Sequence, residues 1–223
     1  MKNLTEMPPH PPPAELPAQP INLLAADEGE ELQRAELYGL LAQLWLAAPD
    51  AAMLQQFAVA VTQAPEPGSF LEAPWQDLVN AMRITTVGAV RAEYEALFLS
   101  ASKAEILLYA SHHVAGALND KPLVELRRDL QALGLSGAPS ATDTEDHVAF
   151  VLEVMRYLIA GDDVAVCNLE RQRIFFRQHV QPWVPNLLCD AVERHALARV
   201  YGRLAVCTRA FLQVETQGFD LIE

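Results

Sequence analysis

TDTEDHVAFVLEVMRYLIAGD (residues 142–162) sets two kinds of residue side by side. Its opening residues include Asp143, Glu145, Asp146 and His147. Behind them Val148, Val151, Leu152, Met155, Leu158 and Ile159 fall at i, i+3, i+4, i+7, i+10 and i+11, which is one face of a helix. Phe150 and Val154 add a second apolar face, so the helix is expected to be buried on most sides. Gly161 and Asp162 end it. Asp143 as N-cap, with Asp146 three residues on, resembles a capping arrangement. That accounts for two of the acids and leaves Glu145 and His147 unexplained. The helix N-terminus disfavours a protonated His147, whereas Asp146 and Glu145 favour it. Taken in isolation, a histidine there is most often a structural hydrogen-bonding group.

Outward from this segment the same period recurs. From Asp27, Leu37, Leu40, Leu41 and Leu44 keep helical spacing, with Glu28, Glu30 and Glu31 well placed in a first turn. Pro49-Asp50 restarts a helix near 50–63, and APEPGS breaks it. A long helix is expected from about Trp75 to Leu99, with Val87, Val90, Tyr94, Leu97 and Phe98 on one face. SASKAEILLYASHHVAGALND reads as loop, then short helix. DKPLVELRRDLQALGL is an amphipathic helix with Pro122 near its first turn and Gly134 as its C-terminal cap. GLSGAPSATDT is the best linker candidate. A helix near 164–180, a break at QPWVP and a last helix from about Leu187 to Val214 complete the chain. Leu197, Val200, Leu204, Cys207, Phe211 and Val214 form the stripe of that last helix. No period-2 alternation occurs. The expected fold class is all-α, a bundle of about eight to nine helices.

Four regions are expected: a Pro-rich disordered tail (1–26), an N-terminal helical part (27–135), a hinge (136–147) and a C-terminal helical part (148–223). The tail carries seven prolines in its first 20 residues and has little to bury. It lacks the apolar segment of a secretory signal. No apolar run reaches the ~20 residues that span a bilayer. A soluble, cytoplasmic protein without membrane insertion is therefore expected. Cys167, Cys189 and Cys207 are unclustered, and buried reduced thiols are the plain reading. The net charge of −13 is uneven. Residues 1–150 hold 20 acids and 8 bases, against 9 and 8 in residues 151–223. Such a surface repels nucleic-acid backbones and attracts a basic partner.

Catalytic motifs are missing. There is no clustered Cys/His zinc pattern, no Glu-x-x-His pair for a di-iron bundle, no phosphate loop, no GxGxxG and no GxSxG. No metal, cofactor or enzymatic activity is expected.

Three segments, in order, carry a resemblance. DTEDHVAFVLEVM resembles the Glu-Pro-x-Asp-His signature and following apolar helix of the TorD/DmsD family, cytoplasmic chaperones for molybdenum enzymes exported by the twin-arginine pathway. EYEALF (93–98) is similar to that family's Tyr-x-x-Leu-Phe, and FFRQHVQPWVP (175–185) to its Phe-Phe-x-x-His-x-x-x-Trp. Here Thr144 replaces the usual proline and Asp143 the usual glutamate. ILLYASHHV stands in place of the family's Pro-Tyr-x-Ser element.

The resemblance implies a non-catalytic chaperone that binds the twin-arginine leader or apo-form of a molybdopterin oxidoreductase until its cofactor is inserted. The client would be of formate dehydrogenase, nitrate reductase or S-/N-oxide reductase type. The implied leader-binding residues are Tyr94, Leu97, Phe98, Asp143, Glu145, Asp146 and His147. Physically, an apolar leader segment can lie in an apolar groove, and its arginines can meet carboxylates through bidentate bonds. A stripe such as Tyr94, Leu97 and Phe98 is also what ordinary core packing produces. The implied assembly is a monomer or a domain-swapped dimer. Two rivals stand beside this reading: an acidic helical scaffold for a basic protein partner, and a hydrolytic or ligand-binding helical protein using Asp146 and His147.

Overall fold

The computed structural model of the chain describes residues 29–62, 71–99, 104–135 and 143–221. The expected Pro-rich tail, the APEPGS break and most of the hinge lie outside them. The described elements are α1 (Glu30–Leu46), α2 (Ala51–Val59), α3 (Glu72–Ile84), α4 (Val87–Phe98), α5 (Ala110–Ala115), α6 (Lys121–Ala132) and α7 (Val148–Ala160). There follow α8 (Leu169–Phe175), two five-residue π-helical segments (Phe176–Val180 and Val184–Leu188), α9 (Cys189–Glu193) and α10 (Val200–Asp220). The fold is all-α, as the periodicity requires. Among the described residues the one β-type pairing is an isolated bridge between Tyr109 and His147.

Local chemistry sets the helix ends. Asp50 caps α2 by accepting the Met53 N–H at 2.8 Å. Asp120 caps α6, whose first turn holds Pro122. Gly134 closes α6 with φ +72°, a left-handed conformation that only glycine adopts without steric cost. The expected helix from Trp75 to Leu99 is two helices. Thr85 and Thr86 adopt extended backbone, and the Thr86 hydroxyl accepts the Ala89 N–H, which starts α4 afresh. The expected final helix from Leu187 is also divided. A turn at 194–199 separates α9 from α10 and leaves Leu197 exposed rather than on the buried stripe.

α1 packs along α7, and α10 packs against α3, α9 and the second π segment. Three hydrogen bonds from aromatic side chains join α1 to α10. The Trp45 indole donates to the Thr208 hydroxyl, Tyr38 donates to Glu215, and Tyr201 donates to the Leu44 carbonyl. Each satisfies a polar group that burial would otherwise leave costly. α7 buries Val148, Ala149, Val151, Leu152, Val154, Met155 and Leu158, so it is wrapped on most sides, as its sequence demands. Cys189 and Cys207 are buried thiols pushed up by desolvation, and the half-buried Cys167 thiol donates to the Tyr157 carbonyl.

One ion pair is built into this core. Arg34 donates to both oxygens of Glu215, at 2.9 and 2.8 Å, and its guanidinium lies 5.7 Å from the centre of the Phe219 ring. Burial alone would lower the Arg34 pKa; Glu215 outweighs it and raises it. Removing one partner of a buried pair strands the other. Glu215→Ala is expected to cost about 3 kcal/mol in urea unfolding. Glu215→Gln, which keeps an acceptor for Tyr38 and Arg34, should cost clearly less. Equal losses from the two would contradict that role for the acceptor and assign the loss to the charge alone.

Candidate functional site

The acidic segment ahead of α7 is stitched to the chain ahead of α5. The Ala110 N–H donates to the Asp146 carbonyl at 2.9 Å, and the Val148 N–H donates to the Leu108 carbonyl at 2.8 Å. Between these bonds Asp146 points inward and is 1% exposed. Its carboxylate accepts from the Ser111 N–H at 2.9 Å, from the Ser111 hydroxyl, and from the Thr144 hydroxyl at 2.6 Å. Three donors onto one carboxylate satisfy a buried charge. Thr144 supplies a hydroxyl donor that a proline in that position lacks.

His147, not Asp143, is the N-cap of α7. Its Nδ1 accepts the Ala149 N–H at 3.2 Å. An accepting nitrogen requires the neutral ring, and burial lowers the His147 pKa below its ordinary 6.5 against the pull of Asp143 and Asp146. The edge of the Tyr109 ring meets the His147 ring, with centroids 5.1 Å apart.

The other two acids face outward. Asp143 is exposed and accepts from the Tyr109 hydroxyl at 2.5 Å. Burial, then Asp143, holds the Tyr109 phenol above its usual pKa. Glu145 is half-buried and takes the Nε and a terminal nitrogen of Arg127 on α6 at 2.9 and 2.8 Å. Burial pushes the Glu145 carboxyl up, and Arg127 outweighs it, so it lies below the usual range.

Tyr94, Leu97 and Phe98 lie on one face of α4 and are buried. Tyr94 donates to the Leu46 carbonyl at the end of α1 at 2.6 Å, and its ring packs on Phe98 and Tyr201. Burial, then the nearby Asp143 charge, pushes Tyr94 up to about 12. The structure thus brings Tyr94 into the electrostatic neighbourhood of Asp143. Leu97 and Phe98 pack in the core, where Phe98 meets Trp45 and Tyr201.

The FFRQHVQPWVP segment forms the π-helical turns. Phe175, Phe176, His179 and Trp183 are all buried. His179 Nε2 lies 2.9 Å from the Asp129 carboxylate on α6, and Trp183 stacks on His113 of α5. The motif ahead of α7 and the FFRQHVQPWVP motif therefore converge on α5 and α6, whereas the α4 motif packs on the end of α1 and on Tyr201 of α10. Tyr109, Ser111, Arg127 and His113 hold this arrangement, and sequence reasoning missed them. Each meets its partner 18 to 70 residues away, and spacing carries no signal over that distance. Among the described residues no group of side chains is placed to hold a metal ion, and no helix is long and apolar enough to cross a membrane.

Fold and site together define an all-α protein whose acidic segment ahead of α7 is fastened by a buried carboxylate. The chain belongs to the family described as nitrate reductase delta subunit, whose profile matches residues 65–188. It is similar to the chaperone protein TorD of Vibrio cholerae serotype O1, 29% identical over 138 residues, covering 58% of this chain and 61% of that protein. It is also similar to the TorD chaperones of Aliivibrio fischeri (27% over 185 residues, covering 73% and 83%) and Vibrio atlanticus (27% over 209 residues, covering 83% and 94%).

The burial difference between the acids is measurable. Asp146→Ala leaves the Ser111 and Thr144 donors unpaired and is expected to cost about 3 kcal/mol in urea unfolding, against under about 1 kcal/mol for Asp143→Ala. A second test uses pH. Burial lowers the pKa of His147, and also of His113 and His179, so the unfolded chain binds more protons as pH drops below about 6.5. Stability is then complete above about pH 6.5 and is lost as pH falls through the folded values. The melting temperature should fall between about pH 7 and 5, and less steeply in His147→Asn, which keeps a capping side chain. A flat profile over that interval would contradict the buried neutral ring.

Proposed function

We propose that the chain is a cytoplasmic chaperone for a molybdopterin oxidoreductase of the formate dehydrogenase, nitrate reductase or S-/N-oxide reductase type. It binds the client's twin-arginine leader, or its apo-form, until cofactor insertion, and then releases it for export. The observation that carries this reading is the division of labour ahead of α7. Asp146 and His147 are buried and hold the segment, while the carboxylates of Asp143 and Glu145 are presented outward. Family membership supports the chaperone role.

In this reading the leader's arginines engage Asp143 and Glu145. Tyr109 and Arg127 are the partners those arginines replace. Tyr94, Leu97 and Phe98 are buried in the folded chain, so a leader's apolar segment reaches them only when the hinge 136–147 opens. Exchange of the 148–223 part across that hinge is the route from monomer to dimer. A net charge of −13 would also suit a scaffold for any basic partner. Discrimination between arginine and lysine separates the two readings, because only arginine presents a planar fork to a carboxylate.

Calorimetric titration of the full chain with synthetic twin-arginine leaders, beside twin-lysine controls, tests this. Asp143→Lys combined with Glu145→Gln should weaken the twin-arginine leader by about tenfold or more, a loss of about 1.4 kcal/mol, while the melting curve stays intact. Equal affinity for arginine and lysine leaders, or no change in the double variant, would overturn the reading.

A further inference from the structure

An open groove of about 980 Å³ runs between α4 and the α9–α10 corner, on a side of α4 away from Tyr94, Leu97 and Phe98. Ala89, Ala92 and Ala96 of α4 line one side and Ala196, Ala198 and Gly202 the other. Such small side chains let a second backbone come close. Ile84 and Leu197 also line it and are 87% and 52% exposed, so aliphatic surface is left uncovered there.

The charged groups around the groove differ in which of them already have partners. Its two carboxylates are already occupied. Glu93 accepts the backbone N–H groups of Arg199, Val200 and Tyr201 at 2.8, 3.2 and 2.8 Å, and so caps the start of α10. Glu193 pairs with Arg209. Its two guanidinium groups are available. Arg199 makes no ion pair among the described residues, and Arg203 reaches only an exposed Asp77 at 3.8 Å. An exposed pair of that kind contributes little. The groove therefore offers unused guanidinium donors beside carboxylates whose acceptors are taken.

We propose that this groove is a second docking site, and that it takes an amphipathic helix of a protein partner, apolar on the inserted face and bearing carboxylates on its flank. The apolar face lies over the alanines between Ile84 and Leu197, and the carboxylates meet Arg199 and Arg203. This is the helix-in-groove mode of recognition, with bidentate arginine contacts fixing register. A basic leader is the wrong ligand here, because the groove's carboxylates already have partners and its free groups, Arg199 and Arg203, are donors. The site therefore stands independently of the leader reading.

The test uses the full chain and two labelled synthetic helices, identical on an Ala/Leu face and carrying either glutamates or lysines on the flank. Fluorescence anisotropy should show the glutamate helix binding at least about tenfold more tightly than the lysine helix, with the difference shrinking at high salt. Ala92→Trp fills the groove from an exposed helix position and should abolish binding of both. Arg199→Glu with Arg203→Glu should reverse the preference, an outcome that mere damage to the fold cannot produce. Melting curves confirm that each variant is folded. No binding of the glutamate helix, equal binding of both helices, or binding that survives Ala92→Trp would overturn the proposal. So would self-association blocked by Ala92→Trp in sedimentation, which would assign the groove to a second copy of the chain.

Discussion

A carboxylate with 1% exposure, deep in an all-α chain, is a liability unless every lone pair it presents is matched. Asp146 meets that demand with three donors, the Ser111 N–H and hydroxyl and the Thr144 hydroxyl, and its backbone carbonyl takes the Ala110 N–H of the bridge between Tyr109 and His147. Much else depends on it. The bridge places His147 at the start of α7, where its ring caps the helix, and sets Tyr109 over that ring. The same bridge turns Asp143 and Glu145 outward. The surface acids are therefore positioned by a buried one, and α7 begins where that network permits it to begin.

The period of the sequence was enough for the fold class, because 3.6-residue spacing over long apolar stretches leaves no other way to bury them. It was also enough for α6, with Pro122 at its start and Gly134 at its end, and for the burial of α7. It was not enough where a local bond competes with the pattern. The apolar face from Val87 to Phe98 continues that of α3, yet the Thr86 hydroxyl offers a cap and the helix restarts. The capping role given to Asp143 by spacing belongs instead to His147, since Asp143 has Tyr109 to bond and Asp146 is held by Ser111. Those partners lie in a different helix-forming segment, and nothing in the local sequence around residue 143 points to them.

The three family-like motifs have different physical roles. The α4 motif supplies core: the Tyr94 hydroxyl closes the C-terminal carbonyls of α1, and Leu97 and Phe98 fill space behind it. The π-helical motif fastens the second part of the chain to α5 and α6 through Trp183 on His113 and His179 on Asp129. The segment ahead of α7 sends the carboxylates of Asp143 and Glu145 outward beside the buried Asp146. A motif can therefore mark a binding region without each of its residues touching a ligand. Most of these side chains hold the few that face solvent.

Charge is sorted on the same principle. The chain is strongly acidic, but its carboxylates differ in whether they remain available. Glu93, Asp146 and Glu215 are committed to backbone N–H groups, hydroxyls or a buried arginine, and they act as structural fasteners. Asp143 keeps an exposed carboxylate whose partner is a neutral phenol, so an incoming cation gains a charge-assisted bond without displacing another cation. Glu145 already holds Arg127, so an incoming arginine there must compete with an equal. Of the two outward acids, Asp143 therefore carries the larger net gain on binding a cation, and Glu145 contributes mainly through exchange. At the α4–α10 groove the logic is inverted. Committing Glu93 to the start of α10 occupies the acceptors that Arg199 and Arg203 could otherwise bond, so those guanidinium donors stay available. One capping carboxylate thus both anchors the last helix and leaves donors rather than acceptors free on the surface beside it.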